Sequence, residues 1–241
     1  MIVLRSILFA LAQLIITPPY AVLSMLCWPL PARTRYRVIT FWSRIMVKLA
    51  GVLCGVRFRV EGLDNLPSGS AVVLCKHQSA WETLALQQIL PMQVWVLKRQ
   101  LLHIPFFGWG LAMLNPIAID RGSPARALRQ LLEQGKQRLA AGYWVVIFPE
   151  GTRVQPGERR RYHAGGAWLA QRAGVPVVPI AHNAGELWPR KAFLKQPGMI
   201  TVSIGPAIQP DAGGAAELLA LAEDWIEQDM QRITGSARSL D

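Results

Sequence analysis

The chain has 241 residues, about half of them hydrophobic and 17% charged, which excludes a disordered chain and allows one large domain with a sizeable core. Its 26 Lys and Arg against 15 Asp and Glu leave a net charge of +11, which favours an anionic partner: nucleic acid, anionic lipid or a phosphorylated substrate. Nine tryptophans and an apolar N-terminus favour lipid among these, because indole prefers the membrane interface, and no nucleic-acid-binding module is visible.

Between Met1 and Leu30 the one charge is Arg5, and from Ser6 to Pro31 there is none. That run is long enough for a transmembrane helix of about 20 residues, but Pro18-Pro19 is expected to break it near the middle. It has no small-x-small cleavage site after it and continues past the prolines, unlike a signal peptide. Arg33, Arg35 and Arg37 follow at once. If the run spans a bilayer, the positive-inside rule leaves the rest of the chain in the cytoplasm. On a helical wheel Val38, Trp42, Ile45, Leu49 and Leu53 then share one side, and Arg37, Arg44 and Lys48 another. A basic amphipathic helix beside an apolar one suits an anionic bilayer surface. The plainer reading is that both helices pack on the domain as core. Residues 1–54 are therefore expected to be a membrane-associated helical pair, and residues 55–241 a single α/β domain.

Residues 56–60 alternate as a strand does, and 62–69 are a loop. Further strands are expected at 71–75, 94–97, 116–119, 144–148, 177–181 and 200–204. Helices are expected from about Ala80 to Leu90, from a Ser123 cap to about Ala141, from Gly165 to Ala173 and from Ala215 to Ile233. Strands alternating with helices give an α/β domain with a largely parallel central sheet flanked by helices. Cys27, Cys54 and Cys75 lack metal-ligand spacing and read as small apolar residues in a reducing compartment.

The most informative stretch follows the second strand: Lys76-His77-Gln78-Ser79-Ala80-Trp81-Glu82-Thr83. Along one helix, His77 and Glu82 would point about 140° apart. They form a base and its orienter only if His77 lies in the loop and Glu82 in the first helical turn, an arrangement that Ser79 as N-cap permits. The same letters spell a capping box, in which Glu82 caps the backbone and touches no histidine. Three other strand ends carry polar groups: Lys98, Arg121, and Glu150 with Arg153. If the four ends share one side, the site holds a candidate base and three cations, which suits proton removal from a hydroxyl beside a phosphate. Each cation alone is an ordinary surface charge. The aromatic Pro105 to Gly110 stretch lines an apolar pocket or makes a core turn. No histidine pair has zinc-site spacing, and there is no Gly-x-Ser-x-Gly elbow, phosphate-binding glycine loop or dinucleotide fingerprint.

With these residues assembled, the chain resembles the glycerolipid acyltransferases, specifically the 1-acylglycerol-3-phosphate (lysophosphatidate) acyltransferases, over roughly residues 55–210. The family's His-x4-Asp motif stands as His77 to Glu82, with Glu in place of Asp. Its arginine after a strand is similar to Ile117-Ala118-Ile119-Asp120-Arg121. Its third motif stands as Phe148-Pro149-Glu150-Gly151-Thr152-Arg153, and its Val-Pro stretch as Val178-Pro179-Ile180. Lys98 with Leu102 to Gly108 is also similar.

The resemblance implies direct acyl transfer. His77 is the general base on the free hydroxyl, and Glu82 fixes its tautomer. Lys98, Arg121 and Arg153 take the acceptor phosphate, Gly151 and Thr152 shape that loop, and Glu150 binds the glycerol or holds Arg153. The partners implied are a membrane lipid acceptor and an acyl thioester of coenzyme A or of acyl carrier protein. No cofactor or metal is implied, and the expected location is the cytoplasmic face of the inner or plasma membrane. Glu82 leaves open a different lysolipid acceptor. A lipid hydrolase or thioesterase, or a basic membrane-binding protein without activity, are the readings from other classes.

Overall fold

Along the central strands, side chains alternate between two apolar cores, and that alternation sets the architecture. The computed structural model describes residues 1–120 and 122–238, with side chains described as far as residue 234. In β2 (Val72–Cys75), Val72 and Leu74 enter one core while Val73 and Cys75 enter the other. In β5 (Trp144–Ile147), Val145 and Ile147 likewise part from Trp144 and Val146. A strand buried on both faces belongs in the middle of a parallel sheet covered on each side.

Among the described residues the sheet has seven strands, the others being β1 (Val56–Glu61), β3 (Gln93–Lys98), β4 (Ile117–Ile119), β6 (Val177–His182) and β7 (Gly198–Ile204). Their order is β1-β7-β6-β2-β5-β3-β4. Every neighbouring pair is parallel except β6 with β7. The expected α/β domain with a largely parallel sheet is thus present. On one face lie α2 (Ala32–Cys54) and α3 (Trp81–Ile89), which bury Met46, Ala50, Trp81 and Ala85. On the other lie α5 (Pro124–Ala140), α6 (Gly165–Ala173) and α8 (Ala215–Arg238), which bury Leu131, Leu169 and Ile226. Two short helices complete the chain, α4 (Phe107–Ala112) and α7 (Ala184–Leu187). Ser123 stands at the N-cap of α5, as expected, but its side chain makes no capping bond.

One sequence expectation is corrected at the N-terminus. Pro18 and Pro19 do not break the first helix: α1 runs unbroken over Ile2–Leu26. The prolines remove two intrahelical donors, but the helix is docked on either side of them. Before them, Ser6 Oγ accepts the Lys195 N–H at 3.0 Å and the Phe9 ring meets Trp188 edge-on at 5.2 Å. The Lys195 ammonium lies over Phe9, Trp188 and Phe193 at 5.3, 4.9 and 5.3 Å. After them, the Tyr20 hydroxyl donates to the Val38 carbonyl, and Ala21 and Ser24 are buried. Tertiary contact therefore holds a helix that local propensity would interrupt.

The apolar side of α2 read from the sequence is not its most buried one. Its buried row is Ile39, Ser43, Met46, Val47, Ala50 and Cys54, while the row from Val38 to Leu53 flanks it, half-buried. Both rows are apolar enough to read as the inner one, and the small residues Ser43 and Ala50 mark the closer approach. Arg37, Arg44 and Lys48 are exposed, as expected.

Candidate active site

The chain is pinned where β2 ends. The Lys76 N–H donates to the Ile180 carbonyl of β6 at 3.0 Å, and the Lys76 carbonyl accepts from His182 Nε2 at 2.8 Å. His182 Nδ1 accepts the Ala184 N–H at 3.2 Å, which fixes Nε2 as the protonated nitrogen. Burial pushes the pKa of His182 down, so it is a neutral strut between two strands.

His77 follows, in the loop, and Glu82 sits in the first turn of α3. His77 Nδ1 and Glu82 Oε1 are 2.7 Å apart. A carboxylate accepts, so Nδ1 carries the proton and Nε2 keeps its lone pair. The same Oε1 accepts the Ser79 N–H at 3.0 Å and the Gln78 N–H at 3.3 Å. The two sequence readings of Glu82, helix capping and histidine orientation, are therefore both realised. The helix starts one residue later than Ser79 alone suggests: Ala80 is the N-cap, and Ser79 Oγ accepts the Trp81 N–H at 3.1 Å. Burial by itself would push the Glu82 carboxyl up. The His77 hydrogen bond, the fields of His182 and His77 and the Ser79 N–H outweigh it and hold the pKa below the usual carboxylate value. The imidazole stacks on Phe148, with centroids 3.8 Å apart and planes 11° from parallel.

Phe148 opens the loop after β5, which folds back on His77: the Val154 N–H donates to the His77 carbonyl at 2.8 Å. Gly151 turns that loop with φ of 69°, a conformation costly for a side chain, and an added Cβ would stand 3.4 Å from the His163 ring. Glu150 is 1% exposed. Its Oε1 accepts the His77 N–H at 3.4 Å and lies 3.5 Å from the Lys76 ammonium. Burial raises its pKa to about 7 against the opposing pull of Lys76. Of the two roles expected for Glu150, the hold on Arg153 is not made: its ion pair is with Lys76. Among the described residues, Glu150 Oε2 and Arg153 Nε are buried without a hydrogen-bond partner.

The strands β2, β5, β3 and β4 are consecutive and parallel, so their C-terminal ends do share one side. One cavity of about 1070 Å³ takes in His77, Lys98, Glu150, Gly151, Thr152 and Arg153. Arg121 lies outside the described residues. The cavity also takes in cations beyond the expected site residues: Arg160, from a basic loop whose sequence allows contact with headgroups, and, after α7, Arg190 and Lys191, which sequence reasoning missed. Arg160 and the neighbouring cavity residue His163 sit in the same long loop after β5, a signal that places them near the site. Arg190 has no such signal, and joins because its guanidinium donates to the Arg153 carbonyl at 2.9 Å. The apolar lining comes from Tyr20, Trp42, Phe107, Leu111, Leu131 and their neighbours, so the Pro105 to Gly110 stretch does line a pocket. The arrangement suits proton removal from a hydroxyl by His77 Nε2, beside anion-binding cations, with room for an apolar chain.

Residues 57–183 match the family model described as Acyltransferase. A Pseudomonas aeruginosa protein named 1-acyl-sn-glycerol-3-phosphate acyltransferase is 46% identical over 236 residues, covering 96% of this chain and 92% of that one. The human 1-acyl-sn-glycerol-3-phosphate acyltransferase beta is 28% identical over 172 residues, covering 70% of this chain and 62% of that one. The solved structure of the Thermotoga maritima 1-acyl-sn-glycerophosphate (LPA) acyltransferase, PlsC, is similar with a TM-score of 0.82, covering 97% of this chain and 96% of that one at 22% identity. At that identity the likeness is one of fold.

Proposed function

This chain belongs to the acyltransferase family, and on that premise we propose that it moves an acyl chain from a thioester to the free hydroxyl of 1-acyl-sn-glycerol 3-phosphate, giving phosphatidic acid. The observation that carries the reading is the 2.7 Å His77–Glu82 pair opening on a cavity that joins cations to an apolar lining.

In this reading His77 Nε2 takes the hydroxyl proton as the oxygen attacks the thioester carbonyl. The ester C–O bond forms, the C–S bond breaks, and the proton passes to the departing thiolate. Glu82 keeps Nε2 in its basic tautomer and stabilises the imidazolium that forms. Lys98 and Arg153, with Arg121, neutralise the acceptor phosphate. Gly151 and Thr152 shape the loop that presents Arg153, and Glu150 faces the glycerol. The thioester is that of coenzyme A or acyl carrier protein, and no further cofactor enters the scheme. The extra methylene of Glu82 does not spoil its reach to the imidazole, and the Pseudomonas relative carries the name of a lysophosphatidate enzyme. Both favour lysophosphatidate over another lysolipid.

The acceptor is a bilayer lipid, and α1 supports a place at the bilayer surface. It is long and apolar enough to cross a membrane by length and composition. Yet it touches the domain from Ser6 to Ser24, about 27 Å of helix. A spanning helix would carry those domain contacts through a hydrocarbon core about 30 Å thick. Lying in one interface, α1 instead immerses Leu14 and Ile15, each 70% exposed, and keeps the cavity at headgroup depth. The exposed arginines Arg33 and Arg37 suit the anionic cytoplasmic face.

Comparing lysophosphatidate with a monoacylglycerol of the same chain tests the acceptor. The phosphate is expected to raise kcat/KM by about 100-fold or more, the scale of charge-assisted contacts in a buried site. Equal use of the two would sink the phosphate assignment.

A further inference from the structure

Behind His77 lies a buried charged cluster in which the proposed chemistry uses Glu150 but leaves Lys76, Tyr162 and Glu227 without a role. Lys76 is 1% exposed and immediately precedes the base. Its ammonium is 2.7 Å from Glu227 Oε1 on α8, 3.5 Å from Glu150 Oε1 and 5.9 Å from the centre of the Tyr162 ring. The Tyr162 hydroxyl donates to the same Glu227 oxygen at 2.8 Å. One ammonium thus joins the end of β2, the loop after β5 and α8. Burying such a charge is costly unless it is paired, so Glu227 and Tyr162 anchor it and leave its remaining reach for Glu150.

Glu150 Oε1 is held from two sides, by Lys76 and by the His77 N–H. That grip fixes the carboxylate's orientation. Its second oxygen has no protein partner among the described residues, and Glu150 lines the cavity. We propose that Lys76 is a positioning residue: it holds the Glu150 carboxylate against the His77 backbone N–H at the cavity wall, and so fixes the loop that presents His77 to the acceptor hydroxyl. The proposal rests on the acyl-transfer reading above. Holding the His77 backbone through Glu150 keeps Nε2 directed at that hydroxyl, whose single proton it takes.

The charged and titratable groups facing Glu150 are Lys76 and Cys75 at the end of β2, His77 in the next loop, Tyr162 in its own loop and Glu227 on α8. Removing the ammonium therefore favours protonation of Glu150. Removing the Glu227 charge frees the ammonium for Glu150 and favours ionisation.

The test is a cycle of four full-length proteins, wild type, Lys76→Met, Glu150→Gln and the double variant, assayed for phosphatidate formation in vesicles. At neutral pH, Lys76→Met is expected to lose about tenfold or more in kcat/KM, as when a buried charged partner is removed. The double variant should lose no more than Glu150→Gln alone. The acid limb of kcat/KM against pH should move up in Lys76→Met and down in Glu227→Gln, opposite shifts that loss of packing does not produce. Additive losses, or acid limbs that stay in place, overturn the proposal. If Lys76→Met does not fold, Glu227→Gln decides by the direction of its limb. A wild type that makes no phosphatidate removes the acyl-transfer reading and this proposal with it. Wild-type turnover with an additive cycle removes the role of Lys76 alone.

Discussion

Glu82 holds the His77 imidazole and caps its own helix with a single oxygen. Oε1 lies 2.7 Å from His77 Nδ1 and 3.0 Å from the Ser79 nitrogen. The backbone that places Glu82 is the backbone Glu82 stabilises, so the orienter cannot drift without unwinding the start of α3. Glu82→Gln keeps an acceptor oxygen and removes the charge. Its kcat is expected to fall about 100-fold or more with little change in KM, because the imidazolium loses its counter-charge. Steady-state kinetics on vesicles measure this, and an unchanged kcat contradicts it.

The same carboxylate sets an acid limit on stability. Its pKa is held below the usual 4.5, with burial opposing and the His77 hydrogen bond prevailing. A depressed folded-state value stabilises the protein above the unfolded value and is lost as pH falls through the folded one. Urea unfolding of wild type should therefore weaken below pH 4.5, and Glu82→Gln should weaken less over the same range.

Glu150 acts in the opposite sense. Burial raises its pKa from 4.5 to about 7, so the folded state binds a proton that the unfolded chain has released. Stability from this group is fully present below pH 4.5 and is lost as pH rises to about 7. Glu150→Gln removes that loss. Above neutral pH the variant is expected to be more stable than wild type, by up to about 3 kcal/mol. Paired denaturation curves at acid and alkaline pH check this, and equal slopes in the two proteins count against it.

Arg153 has a buried nitrogen without a protein partner among the described residues, in the loop facing His77. Arg153→Ala is expected to raise KM for lysophosphatidate by about 10–100-fold. Arg153→Lys should recover only part, because a lysine cannot make the planar two-point contact with phosphate. A KM that depends less on the acceptor phosphate in Arg153→Ala than in wild type is the result expected, and an equal dependence in the two counts against it.

On α1, Leu14→Glu with Ile15→Glu should lower sedimentation with anionic vesicles. Both side chains are 70% exposed, so the fold should be spared. Turnover of a short-chain, water-soluble acceptor should persist while turnover of a bilayer-bound acceptor falls. Loss of both would place these residues in the catalytic fold rather than at a surface.

The strands were legible because buried parallel strands write themselves as apolar runs, as in Val72 to Cys75, and the four strand-end groups followed from them. What stayed hidden depended on tertiary contact. The continuity of α1 through Pro18 and Pro19 rests on contacts either side of them, with Lys195, far along the chain, before and Val38 after. The inner row of α2 could not be chosen while two apolar rows lay side by side. Glu82 looked like a choice between two partners because sequence spacing does not say that one oxygen can serve both. Arg190 enters the cavity through a bond to the Arg153 carbonyl that no local pattern announces.

The most direct measurement is phosphatidate formation by the purified chain from labelled acyl thioester and lysophosphatidate, beside His77→Ala. His77 is a loop residue whose side chain is 14% exposed, so its loss should spare the fold. Wild type is expected to make phosphatidate, and His77→Ala to lose about 10²–10⁴-fold in rate while keeping its thermal transition and its vesicle binding. A folded, membrane-bound His77→Ala that turns over like wild type would contradict the account, as would a wild type that only releases free acid.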